Sequence, residues 1–392
     1  MAWSRCGGVS VFLFPRGQEL NNQSREHIDI SITEGKEKKS TLPKIIMSPL
    51  LCASLIVIIC VARIPFVLFA AGQDSRPPPA AVRSLNILQG NDDGWAEGNI
   101  RTLHHVLKQR GYQTVISAPV RDKSGTGSLS KERFDALTKP GEYDLVPAGA
   151  PGTGHDPADP QIWYVNGFPV DGIRFGLDTL APQIFHGKPE LIITGPNVGK
   201  NTGLQDRFSG TLGAAAFGAK HGVPAIAVSV DDGTRHSYQD RRADDFGEIY
   251  ANATVRVVEE LLMKGSDEYL PAGCVLNINL QRAGPATSCK TPQDYRFVLS
   301  SIFGFNHASG FTNCGSHRLP AENQVLHTSP GCWASVSLIQ ADHLLDASPS
   351  QKQALLDRTP HFFSCPDQEA GKTLNEPSIF GEGIQFIKIG HH

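Results

Sequence analysis

Neither sign of charge predominates in this chain. Its 36 Lys and Arg stand against 39 Asp and Glu, a formal net charge of −3. That balance excludes a broad electropositive footprint, so no nucleic-acid polymer is expected as a partner. No internal period of the kind that builds solenoids or propellers is visible. The cysteines match no zinc spacing, which excludes the common structural zinc modules. Gly125-Thr126-Gly127 lacks the Gly-Lys-Ser/Thr of a Walker A loop and the third glycine of a dinucleotide fingerprint. Glycine and proline, by contrast, are plentiful at 39 and 27, and call for many loops. A length of 392 residues allows two ordinary domains, or one large α/β domain with extensions.

Residues 1–44 are polar, mixed in charge and without periodicity, as a disordered or non-native extension would be. Residues 45–72 are apolar apart from Ser48, Ser54, Arg63, two prolines and the closing glycine. An arginine at a bilayer centre costs about 2.5–3.5 kcal/mol. Lys44 precedes Met47, and Ala70-Ala71-Gly72 ends the run, which favours a secretory signal peptide starting at Met47. A membrane anchor is the competing reading. Residues 73–83 follow as an exposed linker. Of the cysteines, Cys6, Cys52 and Cys60 precede that linker. Cys274, Cys289, Cys314, Cys332 and Cys365 lie in the C-terminal third, where one or two disulfides are expected in a secreted protein. Cys314 with Cys332 is the first pairing to test, leaving one thiol free. Asn252-Ala253-Thr254 is a glycan acceptor triplet.

From the linker onward, buried strands alternate with helices. Residues 85–90 form an apolar run that empties into Asn91-Asp92-Asp93-Gly94. Asn99 is placed to cap the next helix, with Ile100, Leu103 and Leu107 on one face and Gly111 past its end. Further strands are expected at 114–118, 162–165, 191–194, 225–230, 275–280, 297–303 and 334–339, with helices at 169–180, 212–220 and 248–264. The strand at 275–280 alternates, as if half-covered by the core. Residues 131–161 read as a surface excursion in which His155, Asp156 and Asp159 are solvated. Asp171 caps its helix, and His104, His105, His391 and His392 read as helix surface and chain end.

The chemistry gathers where strands end, since ligands of an open parallel sheet bind outside its carboxyl edge. Two adjacent carboxylates, Asp92 and Asp93, cost energy there unless a cation or proton offsets them. Oxygen ligands of this hardness suit Mg²⁺, Mn²⁺ or Ca²⁺. The loop at 120–130 offers hydroxyls, glycines and cations to a phosphate. Asn197 and Asn201, in a glycine-rich loop, can give a carbonyl to a metal or an amide to a phosphate. Ser209-Gly210-Thr211 opens a helix whose N-terminus suits an anion. A second pair, Asp231-Asp232, ends the strand at 225–230, and spacing alone does not choose between the two pairs.

Asn91-Asp92-Asp93-Gly94, the Ser124-Gly125 loop, Gly195-Pro196-Asn197-Val198-Gly199-Lys200-Asn201 and Ser209-Gly210-Thr211 occur in that order. In this the chain resembles the SurE family of metal-dependent survival-protein phosphatases, in particular its exported fungal, acid phosphatase-like branch. Thr194 stands where the family usually carries serine, and Val120 where it tends to carry an acid. The resemblance implies a Rossmann-like, three-layer α/β fold with a mostly parallel sheet, a core at residues 84–285 and a disulfide-bearing C-terminal extension at 286–392. It implies a secreted phosphomonoester hydrolase, a 5′/3′-nucleotidase or acid phosphatase, acting on nucleoside monophosphates or related esters with Mg²⁺ or Mn²⁺. Metal ligands would be Asp92, Asp93, Ser124 and Asn197, with Asp93 the candidate base. Asn201, Ser209, Gly210 and Thr211 would line the phosphate site, and the assembly would be a homodimer. The rival readings are a nucleotide-binding Rossmann-type protein and a binding protein without turnover.

Overall fold

Ile87 and Leu88 are both fully buried, and as neighbours on a strand they must face opposite sides of the sheet. Strand β1 (Asn86–Gly90) is therefore covered on both faces, as strands of a parallel sheet are. The computed structural model describes residues 5–6, 9–10, 84–240, 245–263, 268–304 and 311–366. The chain divides into two units, Met1–Pro78 and Pro79–His392. Of the first, the structure describes the antiparallel pairing of Arg5–Cys6 with Val9–Ser10. The expectations for residues 45–72 and 73–83, and for most of 1–44, lie outside the described residues. No helix among the described residues is long and apolar enough to cross a membrane.

After β1 come α1 (Gly98–Gln109), β2 (Gln113–Pro119), and a hairpin of β3 (Thr153–Asp156) with β4 (Asp159–Val165). Then follow α2 (Pro169–Phe175), β5 (Leu191–Val198), α3 (Gly210–Lys220), β6 (Ala225–Val230), α4 (Gly247–Leu262) and β7 (Cys274–Leu280). The last described elements are β8 (Tyr295–Ser300), α5 (Glu322–Leu326), β9 (Cys332–Gln340), β10 (Leu345–Asp346) and α6 (Pro349–Arg358). One sheet takes the order β8-β9-β7-β6-β5-β1-β2-β4-β3, with β10 paired to β9. From β7 through β4 all neighbours are parallel, while β3, β9 and β10 run antiparallel to the strands β4, β7 and β9. The fold is thus α/β and mostly parallel, and the residues after 285 add further strands to the same sheet.

The sheet separates two cores. Ile87, Leu103, Leu107, Tyr250, Val255 and Val258 pack on the α1/α4 side. Leu88, Ile173, Leu212, Ala215 and Ala216 pack on the α2/α3 side. Each fully buried leucine or isoleucine contributes about 1.5–3 kcal/mol. The alanines and glycines of α3 let its backbone lie close on the sheet: a Cβ at Gly218 would meet Ile192 Cδ1 at 2.3 Å.

Several local expectations are corrected. Helix α1 is capped by Glu97, whose Oε2 accepts from Asn99 N at 2.7 Å and Ile100 N at 3.4 Å, so Asn99 lies inside the first turn. The excursion at 131–161 ends in the β3–β4 hairpin. There Asp156 is buried against Arg101 at 2.5 Å and Asp159 meets Lys108 at 3.0 Å, so neither is merely solvated. Strand β7 is buried at every position, Asn277 and Asn279 included, because β6 and β9 flank it and both faces are covered. The triplet at Asn252 lies within α4, and the Thr254 hydroxyl is buried and donates to Tyr250 O, which makes it helix packing and not an open loop. The helix expected at 169–180 is regular to Phe175 and continues as a wider π turn. Asp171 does cap it, accepting from Phe168 N at 2.8 Å.

The disulfides are Cys289–Cys332 and Cys314–Cys365, and Cys274 is free and buried. Cys314 therefore does not pair with Cys332. The antiparallel β7–β9 ladder sets the start of β9 beside the end of β7, and the loop after β7 folds back with Ala283 bridged to Cys289. That places Cys289 at a Cα separation of 4.9 Å from Cys332.

His104 is not on the helix surface but buried against β1, with Nδ1 3.2 Å from Gln89 Oε1 and Nε2 3.5 Å from Asp159 Oδ2. Burial lowers its imidazole to about 4, against the partial opposition of Asp159. A histidine held neutral in the fold contributes stability that is complete above the unfolded value near 6.5 and is lost as pH falls toward 4. His104→Gln should therefore shrink the loss of unfolding free energy between pH 7 and pH 4.5 by about 2 kcal/mol, read from urea midpoints. An unchanged pH slope would refute the assignment.

Candidate active site

Strand β1 has β2 on one side and β5 on the other, so the chain's direction of winding reverses beside it. Such a reversal opens a crevice at the carboxyl edge. Into it β1 delivers Asn91, Asp92 and Asp93, all essentially buried. Three loops are tied to these residues. Lys123 N, next to Ser124, donates to Asp92 O at 2.7 Å. Val198 N, next to Asn197, donates to Asp93 Oδ2 at 2.7 Å. The Thr211 hydroxyl, in the first turn of α3, donates to Asp92 Oδ1 at 2.5 Å.

Two glycines make this convergence possible. A Cβ at Gly210 would lie 2.8 Å from Asp92 Cβ and 2.9 Å from its Oδ2, so only glycine lets α3 begin against that carboxylate. Gly195 has φ +97°, and a Cβ there would stand 2.1 Å from Val228 O. Here β5 shifts register against β6 between Thr194 and Asn197. Thr194, in the family's usual serine position, donates its hydroxyl to Thr211 O at 2.9 Å and fixes the start of α3.

The electrostatics are those of an acidic pocket short of positive charge. Burial raises the carboxyl of Asp92, and burial together with the charge of Asp92 raises that of Asp93 well above the usual range. Glu97 is raised well above its range by burial and then by Asp93. Asp122 goes the other way. Burial would lift it, but the Ser124 hydroxyl at 2.6 Å, the Ser124 amide and Arg235 hold it down. Arg235 Nη1 lies 2.7 Å from Asp122 Oδ2 and 3.9 Å from Asp93 Oδ1, the one cation meeting this carboxylate group among the described residues.

Asn197 donates to Gly199 O at 2.6 Å, yet its Oδ1 is buried without a hydrogen-bond partner among the described residues. Asn91 Nδ2 and Glu97 Oε1 are left in the same condition. Buried polar atoms without partners are uncommon and costly. An acceptor so placed beside two buried carboxylates is what a hard cation would satisfy. Among the described residues no group of three or more His, Cys, Asp or Glu is placed to hold a metal ion.

The residues expected to line a phosphate site are more committed to the protein itself. Ser209 caps α3, its Oγ accepting from Leu212 N at 3.0 Å. Asn201 donates from Nδ2 to Ser229 Oγ at 2.8 Å, and its backbone is gripped by Asn277 and Asn279. The second acidic pair has its own partners: Asp231 faces Lys200 at 3.5 Å, and Asp232 accepts from Tyr250 and faces Arg282. Residue patterns alone do not single out Asp122, Arg235 or Glu97. The signal for Arg235 was its position just after β6, on the same carboxyl edge.

Comparison with known proteins bears on the family of the chain. The family model described as survival protein SurE matches residues 87–297. An acid phosphatase of Yarrowia lipolytica is 32% identical over 303 residues, covering 69% of this chain and 84% of that protein. The 5′-nucleotidase SurE of Gloeobacter violaceus is 32% identical over 203 residues, covering 50% of this chain and 64% of its own length. A crystal structure of the SurE protein of Aquifex aeolicus aligns with a TM-score of 0.45 at 20% identity, over 69% of this chain and 98% of that one. The chain described here belongs to the SurE family.

Proposed function

We propose that this protein hydrolyses phosphomonoesters, nucleoside monophosphates among them, with a divalent cation, Mg²⁺ or Mn²⁺, at the carboxyl edge of β1. The observation that carries the reading is the unpartnered, buried Oδ1 of Asn197 beside the buried Asp92 and Asp93. Asp92, Asp93, Ser124 and Asn197 would hold the ion. When bound, it supplies neutralisation of phosphoryl charge and acidifies water.

The chain's own residues do the rest. The first turn of α3, at Gly210 and Thr211, turns amides unpaired by the helix, and the positive end of its dipole, toward an anion. The Ser209 hydroxyl and the second N–H of the Asn201 amide would orient the remaining phosphoryl oxygens. Asp93 receives the proton of the attacking water at Oδ1, the oxygen not engaged by Val198 N. Arg235, between Asp93 and Asp122, limits how far that proton affinity rises. Burial of the acids away from bulk water strengthens each of these interactions. The names of the relatives support the substrate class. A homodimer and export through the secretory pathway belong to the same reading. The two disulfides support export, and light scattering would read the assembly.

The test is phosphate release from p-nitrophenyl phosphate and from 5′- and 3′-nucleoside monophosphates, with EDTA and then with each metal restored. Turnover should vanish in EDTA and return with Mg²⁺ or Mn²⁺. Intact ester across pH 4–9 with Mg²⁺, Mn²⁺, Co²⁺ and Zn²⁺ each supplied would sink the reading.

A further inference from the structure

We propose that Asp206 and Glu322 form a buried carboxylic acid–carboxylate pair that clasps the loop of residues 199–207 to the sheet and so positions Asn201 beside the phosphate site. The proposal rests on the hydrolase reading for its consequence in catalysis, but its geometry stands independently.

Asn201 belongs to a loop with little apolar anchorage, since Leu204 is 69% exposed and Phe208 66% exposed. Polar groups hold it instead. Asn279 Oδ1 accepts from Asn201 N at 2.8 Å, and the side-chain amides of Asn277 and Asn279 both donate to Asn201 O. Thr202 donates to Asn323 Oδ1 at 3.0 Å. Glu322, fully buried on α5, accepts from Gly203 N through Oε2 at 2.9 Å and from Asn277 Nδ2 through Oε1 at 2.9 Å. Both Glu322 oxygens therefore face N–H donors, the environment of an ionised carboxylate.

Asp206, on the 3₁₀ turn Gly203–Arg207, is 1% exposed and in side-chain contact with Glu322. Its Oδ1 stands 3.4 Å from Asn277 Nδ2, while its Oδ2 is buried with no N–H or O–H donor among the described residues. Two touching carboxyls cannot both ionise in such a site. The donors around Glu322 assign the negative charge to it, so the shared proton sits on Asp206 and is donated to Glu322. The other groups facing the pair are Ser337 on β9, which donates to Glu322, and Asp346 on β10. Asp346 is ion-paired with Lys352 of α6 at 3.0 Å. No cation reaches the pair directly among these neighbours. Burial, with the nearby charge of Glu322, pushes Asp206 up to about 10, and burial pushes Glu322 up to about 7. The two titrate as a unit.

The clasp joins α5, which follows β8 in the chain, to the loop that carries Asn201. It should hold while one proton is shared and open when the second is lost. Asp206→Asn makes the donor permanent, because an amide N–H replaces the shared proton. Glu322→Gln does the opposite, turning an N–H₂ group toward Gly203 N or Asn277 Nδ2.

The experiment uses the full chain and two readouts from pH 7 to 11: steady-state kinetics on p-nitrophenyl phosphate, and hydrogen exchange of the amides in residues 199–207 relative to intrinsic rates. In the native protein KM should rise about tenfold as the shared proton is lost, the scale of one hydrogen bond to a charged group, with kcat changed far less. Protection of the loop should fall over the same pH range. Asp206→Asn should abolish the alkaline rise in KM and flatten the exchange profile, whereas Glu322→Gln should raise KM at every pH. An Asp206→Asn protein that keeps the native alkaline limb, or equal tolerance of both substitutions, would overturn the clasp. So would pH-independent protection of the native loop. That last measurement decides the matter if a variant does not fold. If no protein turns over ester at any pH, the hydrolase reading fails while exchange still tests the pair.

Discussion

Asp92→Asn is expected to lower metal-dependent phosphate release by at least about 10³-fold, the scale seen when a main charge-stabilising group is removed from an active site. The same substitution should leave the fold intact and, in EDTA at pH 7, no less stable than the native chain. A carboxyl whose folded pKa lies above its unfolded value contributes its stability below the unfolded value and loses it as pH rises toward the folded one. Asp92 is such a group, raised by burial, and it raises Asp93 further. At neutral pH the folded protein therefore carries a cost that the amide removes, and Asn Oδ1 can still accept from Thr211. Metal should reverse the comparison. A ligand at a hundredfold its Kd adds about 2.7 kcal/mol to the native chain, raising its Tm by several degrees, and nothing to the variant. Thermal melts with and without Mg²⁺ or Mn²⁺, beside the activity panel, check both halves. Phosphatase activity retained in Asp92→Asn would remove this residue from the site.

The largest effect on stability is expected at Gly195. An alanine there must adopt φ +97° and bring its Cβ to 2.1 Å from Val228 O, a backbone atom of the neighbouring strand. Neither strand can yield, because β5 and β6 lie in the middle of the sheet with both faces packed. Gly195→Ala should destabilise the fold by more than about 3 kcal/mol, combining backbone strain with displacement of a buried strand. Gly199→Ala is the control. It also has positive φ, at +100°, but its Cβ would meet nothing within 4 Å, so the loss should stay near 1–2 kcal/mol. Urea denaturation of both variants separates the two. Equal midpoints would mean that the strand contact is not what makes Gly195 necessary.

Much of the molecule is legible in its sequence. The run Ala225 to Val230 is apolar but for Ser229, which suits a strand buried on both faces, and that strand matches its expected bounds. The helix expected to open at Ser209-Gly210-Thr211 does so, with the Ser209 hydroxyl as its cap. Asn99 misleads because it too can cap, but Glu97 two residues earlier takes that place, accepting from the amides of Asn99 and Ile100. His104 was misread because its place on α1 does not tell that the side chain meets Gln89 of β1. The alternation of Val275 to Leu280 suggested one wet face, yet the asparagines there are buried to hold the Asn201 loop.

What the sequence determined by itself is local and periodic: strands that must be covered, helices that must lie on them, and acidic or glycine-rich turns at the strand ends. Those follow from side-chain alternation, capping and backbone freedom, which act over a few residues. The tertiary structure alone decided which distant groups meet. Cys289 pairs with Cys332 because β7 and β9 run antiparallel, and Arg235 faces Asp93 and Asp122 because β6 ends on the same edge as β1. Asp206 finds Glu322 because α5 packs over the loop that carries Asn201. Contacts of that kind depend on strand order, and strand order is set by the whole core and not by any short stretch of it.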